Sequence, residues 1–107
     1  MKILIIEPQK QPYEKEIIGT LEEMQAIVGG YIQAVYPFDD PVALVCNDEG
    51  KLMGLPYNRV LRDSNGVPYD VICGTFFMVG LGDYDFASLP EEMLAKYIRV
   101  WRISAGT

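Results

Sequence analysis

The side chains best suited to hold a ligand lie close together, in residues 47–59. They are Asn47, Lys51, Tyr57, Asn58 and Arg59. Lysine offers a point charge, and arginine offers a planar fork that matches phosphate or carboxylate. A tyrosine ring can stack on a planar ligand, and asparagine amides can set its orientation. We therefore expect these five residues to form the polar part of a site for a small anionic ligand, such as a nucleotide.

The same segment also has a purely structural interpretation. Asn and Gly are frequent in turns, Arg59 could pair with a nearby carboxylate, and the ring of Tyr57 could pack against the protein. The sequence leaves open whether residues 47–59 form a binding site or only a structured loop.

Residues for catalysis are scarce. The chain contains no histidine, the side chain that most often carries out acid–base catalysis near neutral pH. Cys46 and Cys73 lie in apolar runs without CxxC spacing, so we expect buried free thiols. Asp83 and Asp85 lack the rest of a calcium-loop pattern. We expect no enzymatic activity, no catalytic residue, no metal site and no cofactor.

Length and charge limit the class of protein. With 107 residues, 50% of them hydrophobic, the chain has the size of one folded domain. We expect a single domain over residues 1–107 with a flexible tail at 103–107.

The net charge of −6 argues against direct nucleic-acid binding, which requires clustered basic residues. Acidic pairs such as Glu22-Glu23 and Glu91-Glu92 are usually solvated; alternatively, they imitate the phosphates of DNA.

The N-terminal segment bears on cellular location. Residues 1–7 are apolar but too few for a signal peptide or a membrane span. We therefore expect no membrane association and a location in the cytosol.

Two helices are predicted from their start and stop signals. Thr20 and Glu23 form a capping box before an apolar face, and Gly29 is a suitable stop. Ser88 is expected to cap a second helix, with Pro90 in its first turn. These signals predict helices over about residues 21–29 and 89–102.

Strands are predicted from short apolar runs between turn signals. The runs cover residues 2–7, 13–18, 31–36, 42–46 and 71–81. The last run is either one long strand or two strands divided at Cys73-Gly74. Short connections at residues 37–41 and 64–66 favour hairpins over crossovers. We therefore predict the α+β class, with a mainly antiparallel sheet and two helices packed on one face.

Several segments resemble a small uncharacterised domain family carried by phages, plasmids and conjugative elements of Gram-positive gut bacteria. The segments are residues 21–32, 47–59, 70–80 and 85–89. They include Leu-Glu-Glu-Met-Gln-Ala-Ile-Val-Gly-Gly-Tyr-Ile and Asn-Asp-Glu-Gly-Lys-Leu-Met-Gly-Leu-Pro-Tyr-Asn-Arg. The resemblance implies a mobile-element origin and no established activity.

Small proteins of mobile elements often counter bacterial defence, and this analogy suggests two functions. The first is non-enzymatic sequestration of a small anionic, nucleotide-derived signalling ligand in the bacterial cytosol. The alternative is an acidic inhibitor that binds a host restriction or defence enzyme in the manner of a DNA mimic. A plain accessory domain that only mediates assembly is a third interpretation.

Aromatic residues suggest self-association. Tyr31, Tyr36, Phe38 and Trp101 exceed what a chain of this size is expected to bury. Closed symmetric assemblies commonly bury such side chains. We expect a homo-oligomer, most simply a symmetric dimer.

Overall fold

The computed structural model describes residues 1–104, which form eight strands and two helices. In chain order the strands are β1 (Lys2–Ile6), β2 (Tyr13–Glu16), β3 (Ile32–Val35), β4 (Val42–Asn47), β5 (Tyr57–Arg62), β6 (Pro68–Cys73), β7 (Phe76–Leu81) and β8 (Phe86–Ala87). The helices are α1 (Leu21–Val28) and α2 (Glu91–Trp101). Within this part of the chain, neither helix is long and apolar enough to cross a membrane.

The predicted tail at 103–107 lies partly outside the described residues, which exclude 105–107. Ile103 exchanges two hydrogen bonds with the side chain of Gln11. Its N–H donates to Gln11 Oε1 (2.9 Å), and its carbonyl accepts from Gln11 Nε2 (2.8 Å). This residue is therefore fixed to the segment between β1 and β2.

Six strands form one antiparallel sheet in the order β2-β1-β7-β4-β3, with the short β8 paired to β7. Strands β5 and β6 form a separate antiparallel hairpin. Every residue of β4 and the first five of β7 are buried, because both strands lie inside the sheet with a layer on each face. The predicted α+β class with a mainly antiparallel sheet is confirmed.

The two helices lie on opposite faces of the sheet, and the prediction that they share one face is wrong. Helix α1 packs on the side of Ile3 and Ile5, whereas α2 packs on the side of Leu4 and Ile6. Successive side chains of a strand point to opposite faces. Because β1 is apolar on both faces, each face needs its own cover. The β5–β6 hairpin lies on the α2 face as well.

The N-terminus of α1 follows the predicted capping box. The Thr20 hydroxyl accepts a hydrogen bond from the Glu23 amide (3.2 Å), and the Glu23 carboxylate accepts one from the Gly19 amide (2.8 Å). Gly29 ends the helix in the left-handed conformation (φ 79°), and its N–H donates to the Gln25 carbonyl. Such an end favours glycine because it has no Cβ.

Helix α2 begins at Glu91, and Ser88 does not cap it. The N-cap is Pro90, which makes no side-chain capping bond. The Ser88 hydroxyl instead accepts a hydrogen bond from the Lys2 amide (3.0 Å). Ser88 therefore ties the segment before α2 to the start of β1, since the helix begins too far along the chain for this hydroxyl to reach its first amides.

Two of the aromatic residues predicted to be surplus belong to the core. Trp101 is buried and contacts Phe76 edge-on, with ring centroids 5.1 Å apart. Phe38 packs against the same indole, at 5.9 Å. Tyr31 and Tyr36 remain on the surface, 71% and 61% exposed. The aromatic surface available for self-association is therefore smaller than predicted and lies at the two ends of β3.

Asp40 links the loop before β4 to α2. Its Oδ2 accepts hydrogen bonds from the Lys96 ammonium (2.5 Å) and from the buried Tyr97 hydroxyl (2.7 Å). These two contacts, that of Lys96 first, hold the pKa of Asp40 below its ordinary value.

Replacement of Asp40 by alanine is expected to lower the melting temperature most at neutral pH. A carboxylate with a depressed folded-state pKa stabilises the fold above its unfolded-state pKa, and this contribution is lost as pH falls through the folded-state pKa. The difference between wild type and Asp40→Ala should therefore shrink below about pH 4. Thermal unfolding followed by circular dichroism measures it. Asp39→Ala, at the exposed neighbour, is the control; a difference for Asp40→Ala that is independent of pH would contradict this role.

Candidate functional site

The structure divides the five predicted site residues between two clefts. Asn47 and Lys51 line a cleft of about 380 Å³ between β4 and β6. Tyr57, Asn58 and Arg59 line a different cleft of about 840 Å³, next to the residues that follow α2. The structure thus brings three of the five together and places the other two elsewhere.

The Asn47 side chain is committed to the fold. It is only 6% exposed. Its Nδ2 donates to the Val28 carbonyl at the end of α1 (3.1 Å), and its Oδ1 accepts from the Glu49 amide (2.8 Å). Gly30 permits this approach, because a Cβ there would lie 2.8 Å from Asn47 Nδ2. The amide therefore joins the turn after β4 to helix α1.

The positive charge of Lys51 is already neutralised. Its ammonium forms an ion pair and hydrogen bond with Asp70, which raises the pKa of Lys51 and lowers that of Asp70. Asp48 and Glu49 line the same cleft. Three carboxylates around one lysine make this cleft unfavourable for an anion.

Both cysteines line the cleft that contains Lys51. They are free, with Cys46 buried and Cys73 half-buried. Burial raises the pKa of the Cys46 thiol, which disfavours the reactive thiolate. Within residues 1–104, no three His, Cys, Asp or Glu side chains lie together as a group that could hold a metal ion.

Asn58 is buried at an irregularity in the β5–β6 pairing. The register shifts between Tyr57 and Arg59, so Asn58 is the additional residue of a β-bulge. Its Nδ2 donates to the Ile6 carbonyl (2.8 Å) and to the Gly74 carbonyl (2.9 Å). The side chain, 4% exposed, therefore holds the start of β5 against the ends of β1 and β6.

Arg59 is held by carbonyl groups rather than by a carboxylate. Its Nε donates to the Trp101 carbonyl (3.0 Å), one terminal nitrogen to the Lys10 carbonyl (2.8 Å) and the other to Asn58 Oδ1 (2.8 Å). Among residues 1–104, no carboxylate forms an ion pair with it. Burial lowers the pKa of Arg59, yet an arginine remains charged at neutral pH. The structure thus fixes a half-buried cation without a counter-charge.

Two further arginines lie beside Arg59. Arg102 lines the cleft of about 840 Å³ and also a neighbouring one of about 270 Å³, to which Arg62 contributes. The two clefts share Tyr57, Arg59 and Arg102. Tyr57 is 58% exposed. We call the surface formed by Tyr57, Arg59, Arg62 and Arg102 the arginine cleft.

Lysines and arginines differ in how their charges are compensated. Within the described residues, four of the five lysines (Lys2, Lys10, Lys51 and Lys96) form ion pairs with carboxylates, whereas Lys15 and the four arginines do not. Three of those arginines line the arginine cleft. A protein with a net charge of −6 therefore concentrates uncompensated positive charge at one place.

The sequence analysis did not identify Arg62, Arg102 or Trp101 as site residues. In a regular strand Arg59 and Arg62 would point to opposite faces, and one of the two register shifts in the β5–β6 pairing lies between them, at Leu61 and Arg62. Arg102 follows a helix far along the chain, and no local signal links it to β5. Trp101 lines the smaller cleft, and its Nε1 is a buried donor without a hydrogen-bond partner within residues 1–104.

These features define a small α+β domain with an antiparallel sheet and a positively charged cleft on its α2 face. The chain belongs to the family described as a domain of unknown function (DUF3846), whose model matches residues 1–102. This match confirms the resemblance to an uncharacterised domain family. Comparisons with curated proteins and with solved structures gave no match.

Proposed function

We propose that this domain is a non-enzymatic binder of a small anionic ligand that carries a planar ring, such as a nucleotide-derived signal. Binding takes place at the arginine cleft. The observation that carries the proposal is that Arg59, Arg62 and Arg102, none of them ion-paired within residues 1–104, line clefts that share the exposed ring of Tyr57.

The arginine cleft can contact both the phosphate group and the planar ring of such a ligand. Carbonyl groups hold Arg59 in place, so its charge is preorganised and little entropy is lost on binding. Arg62 and Arg102 are exposed. One terminal nitrogen of Arg62 donates to the Gly66 carbonyl (3.0 Å), and its other donors and the Arg102 fork are available for charge-assisted contacts with phosphate. Tyr57 stacks on the planar ring. The acidic remainder of the surface repels anions and favours binding at this one positive site.

Sequestration fits this site better than catalysis does. A binder needs only charge and stacking surface, whereas acid–base chemistry at neutral pH usually needs a histidine, and the chain has none. The proposed setting is the cytosol of a bacterial host, where a phage or plasmid protein would lower the free concentration of a defence signal. This setting rests on analogy with other small mobile-element proteins.

The alternative, an acidic DNA-mimic inhibitor, has less support. Such a protein would need its carboxylates on one face. Glu22 and Glu23 lie in the first turn of α1, and Glu91 and Glu92 in that of α2, and the two helices cover opposite faces of the sheet.

Single substitutions of the exposed residues of the arginine cleft, Tyr57, Arg62 and Arg102, are expected to weaken binding without unfolding the protein. Isothermal titration calorimetry with AMP, cyclic mononucleotides and cyclic dinucleotides tests the proposal, and uncharged adenosine should bind far more weakly. Arg102→Ala and Arg62→Ala should each raise the Kd about tenfold, through loss of a charge-assisted contact. Tyr57→Ala should raise the Kd by a similar factor through loss of stacking.

Two matched controls separate the site from general effects of charge and aromatic surface. Arg99 is an exposed arginine of α2 that lines neither cleft, and Tyr69 is 58% exposed, as Tyr57 is. Arg99→Ala and Tyr69→Ala should leave the Kd nearly unchanged. The proposal fails if no nucleotide binds, or if the control substitutions weaken binding as much as those in the cleft.

A further inference from the structure

The two edges of the six-stranded sheet differ in charge. Edge strands β2 and β3 end the strand order. Strand β2 reads Tyr-Glu-Lys-Glu and is exposed throughout, whereas β3 reads Ile-Gln-Ala-Val and has no charged residue. Charged side chains, lysine above all, protect edge strands against pairing with other chains. The β2 edge is protected in this way, and the β3 edge is not.

The open edge of β3 presents free backbone groups. The Tyr31 carbonyl accepts a hydrogen bond from the Asp48 amide (2.8 Å). In an antiparallel pair the bonds alternate along the strand, so residues 31, 33 and 35 bond to β4. The N–H and C=O groups of Ile32 and Ala34 therefore point away from the sheet, and no other segment of residues 1–104 bonds to them.

We propose that β3 pairs antiparallel with β3 of a second copy of this chain, so that the two sheets become one continuous sheet across a two-fold axis. An open strand edge accepts another strand through its main-chain groups. A two-fold contact brings identical surfaces together, which in a protein of net charge −6 is least repulsive where the surface is uncharged. The absence of charged residues in β3 therefore favours a second copy of this chain as the partner at this edge.

The sequence of β3 is also self-complementary about its centre. With the axis at Ala34, the small Ala34 side chains of the two copies face each other, and Ile32 faces Tyr36. Pairs of an aromatic and a β-branched side chain are favourable across neighbouring strands. The exposure of Tyr31 and Tyr36, 71% and 61%, is then explained, because both flank the strand at which the copies meet.

Two variants of β3 test the interface. Ala34→Pro removes an outward N–H without removing a bond to β4, and proline is tolerated at such edge positions. Gln33→Lys places two like charges close to the axis. The control is Ala26→Lys, an exposed residue of α1 that lines a cleft with Tyr13 and Lys15 beside the opposite edge.

Light scattering and sedimentation at micromolar concentrations should give wild type and Ala26→Lys the mass of two 12.0 kDa chains. The two β3 variants should have dimer dissociation constants at least tenfold higher than that of the wild type. Their circular dichroism spectra should remain unchanged. Amide hydrogen exchange of Ile32 and Ala34 should be slow in the dimer and fast after dilution. If Ala34→Pro fails to fold, Gln33→Lys and the hydrogen-exchange data still test whether β3 forms the dimer interface.

Three results would overturn the proposal. The first is a wild type with the mass of one chain at all concentrations, which would exclude a second copy as the occupant. The second is a dimer unaffected by the folded β3 variants. The third is a stable complex in which β3 binds an extended segment of a different protein.

Discussion

Replacing Asn58 by alanine should lower the free energy of unfolding by about 2–4 kcal/mol, since it removes two buried hydrogen bonds from the side chain to backbone carbonyls. These are the carbonyls of Ile6 and Gly74, which the Asn58 amide reaches at 2.8 and 2.9 Å. The substitution also removes the Oδ1 acceptor of Arg59. Equilibrium denaturation with urea, followed by circular dichroism, measures the loss.

Two further variants show whether the amide group itself is responsible. Asn58→Asp keeps the size of the side chain and the oxygen that accepts from Arg59 but removes the donor, so it should still be less stable than the wild type at neutral pH. Asn65→Ala, in the exposed turn between β5 and β6, should change the free energy of unfolding by less than about 0.5 kcal/mol. Equal stability of Asn58→Ala and Asn65→Ala would contradict the structural role of Asn58.

Arg59→Ala should reduce both stability and ligand binding. Loss of its bonds to the carbonyls of Trp101, Lys10 and Asn58 should lower the free energy of unfolding by about 2–4 kcal/mol. From the sequence alone, a binding residue at this position would be expected to be dispensable for folding. The structure changes that expectation, because the guanidinium joins β5, the end of α2 and the segment after β1.

Binding is measured at a temperature where the variant remains folded. Loss of the fixed charge should raise the Kd for AMP or a cyclic dinucleotide roughly ten- to a hundred-and-fiftyfold. Arg59→Lys should recover only part of either loss, since one ammonium cannot replace a planar fork with several donors. Arg62→Ala is the stability control, because Arg62 is exposed and donates one hydrogen bond, to Gly66. Full stability of Arg59→Ala together with unchanged binding would refute both roles of Arg59.

The sequence alone was sufficient for the elements whose signals are local. Thr20, Glu23 and Gly29 defined α1 to within one residue, because capping depends on groups within one helical turn. The turn at 64–66 was predicted and connects β5 to β6, but β5 itself was not predicted, because residues 51–63 show no clear hydrophobic period. Of the two interpretations of residues 71–81, the structure selects two strands divided at Gly74, which has φ 87°.

Only the tertiary structure decided which layer covers which face and which polar groups remain available to a ligand. The continuous apolar run of β1 indicates that both faces of this strand are buried, but it does not show which helix packs on each face. Asn47 and Asn58 look like ligand-binding amides until distant carbonyls, those of Val28 and Ile6, occupy their donors.

The arginine cleft likewise has no signature in the sequence. The β5–β6 hairpin and the end of α2 place Arg59, Arg62 and Arg102 around two neighbouring clefts. Residues far apart in the chain meet only after the core has formed, so local patterns predict the helices and strands but not the site.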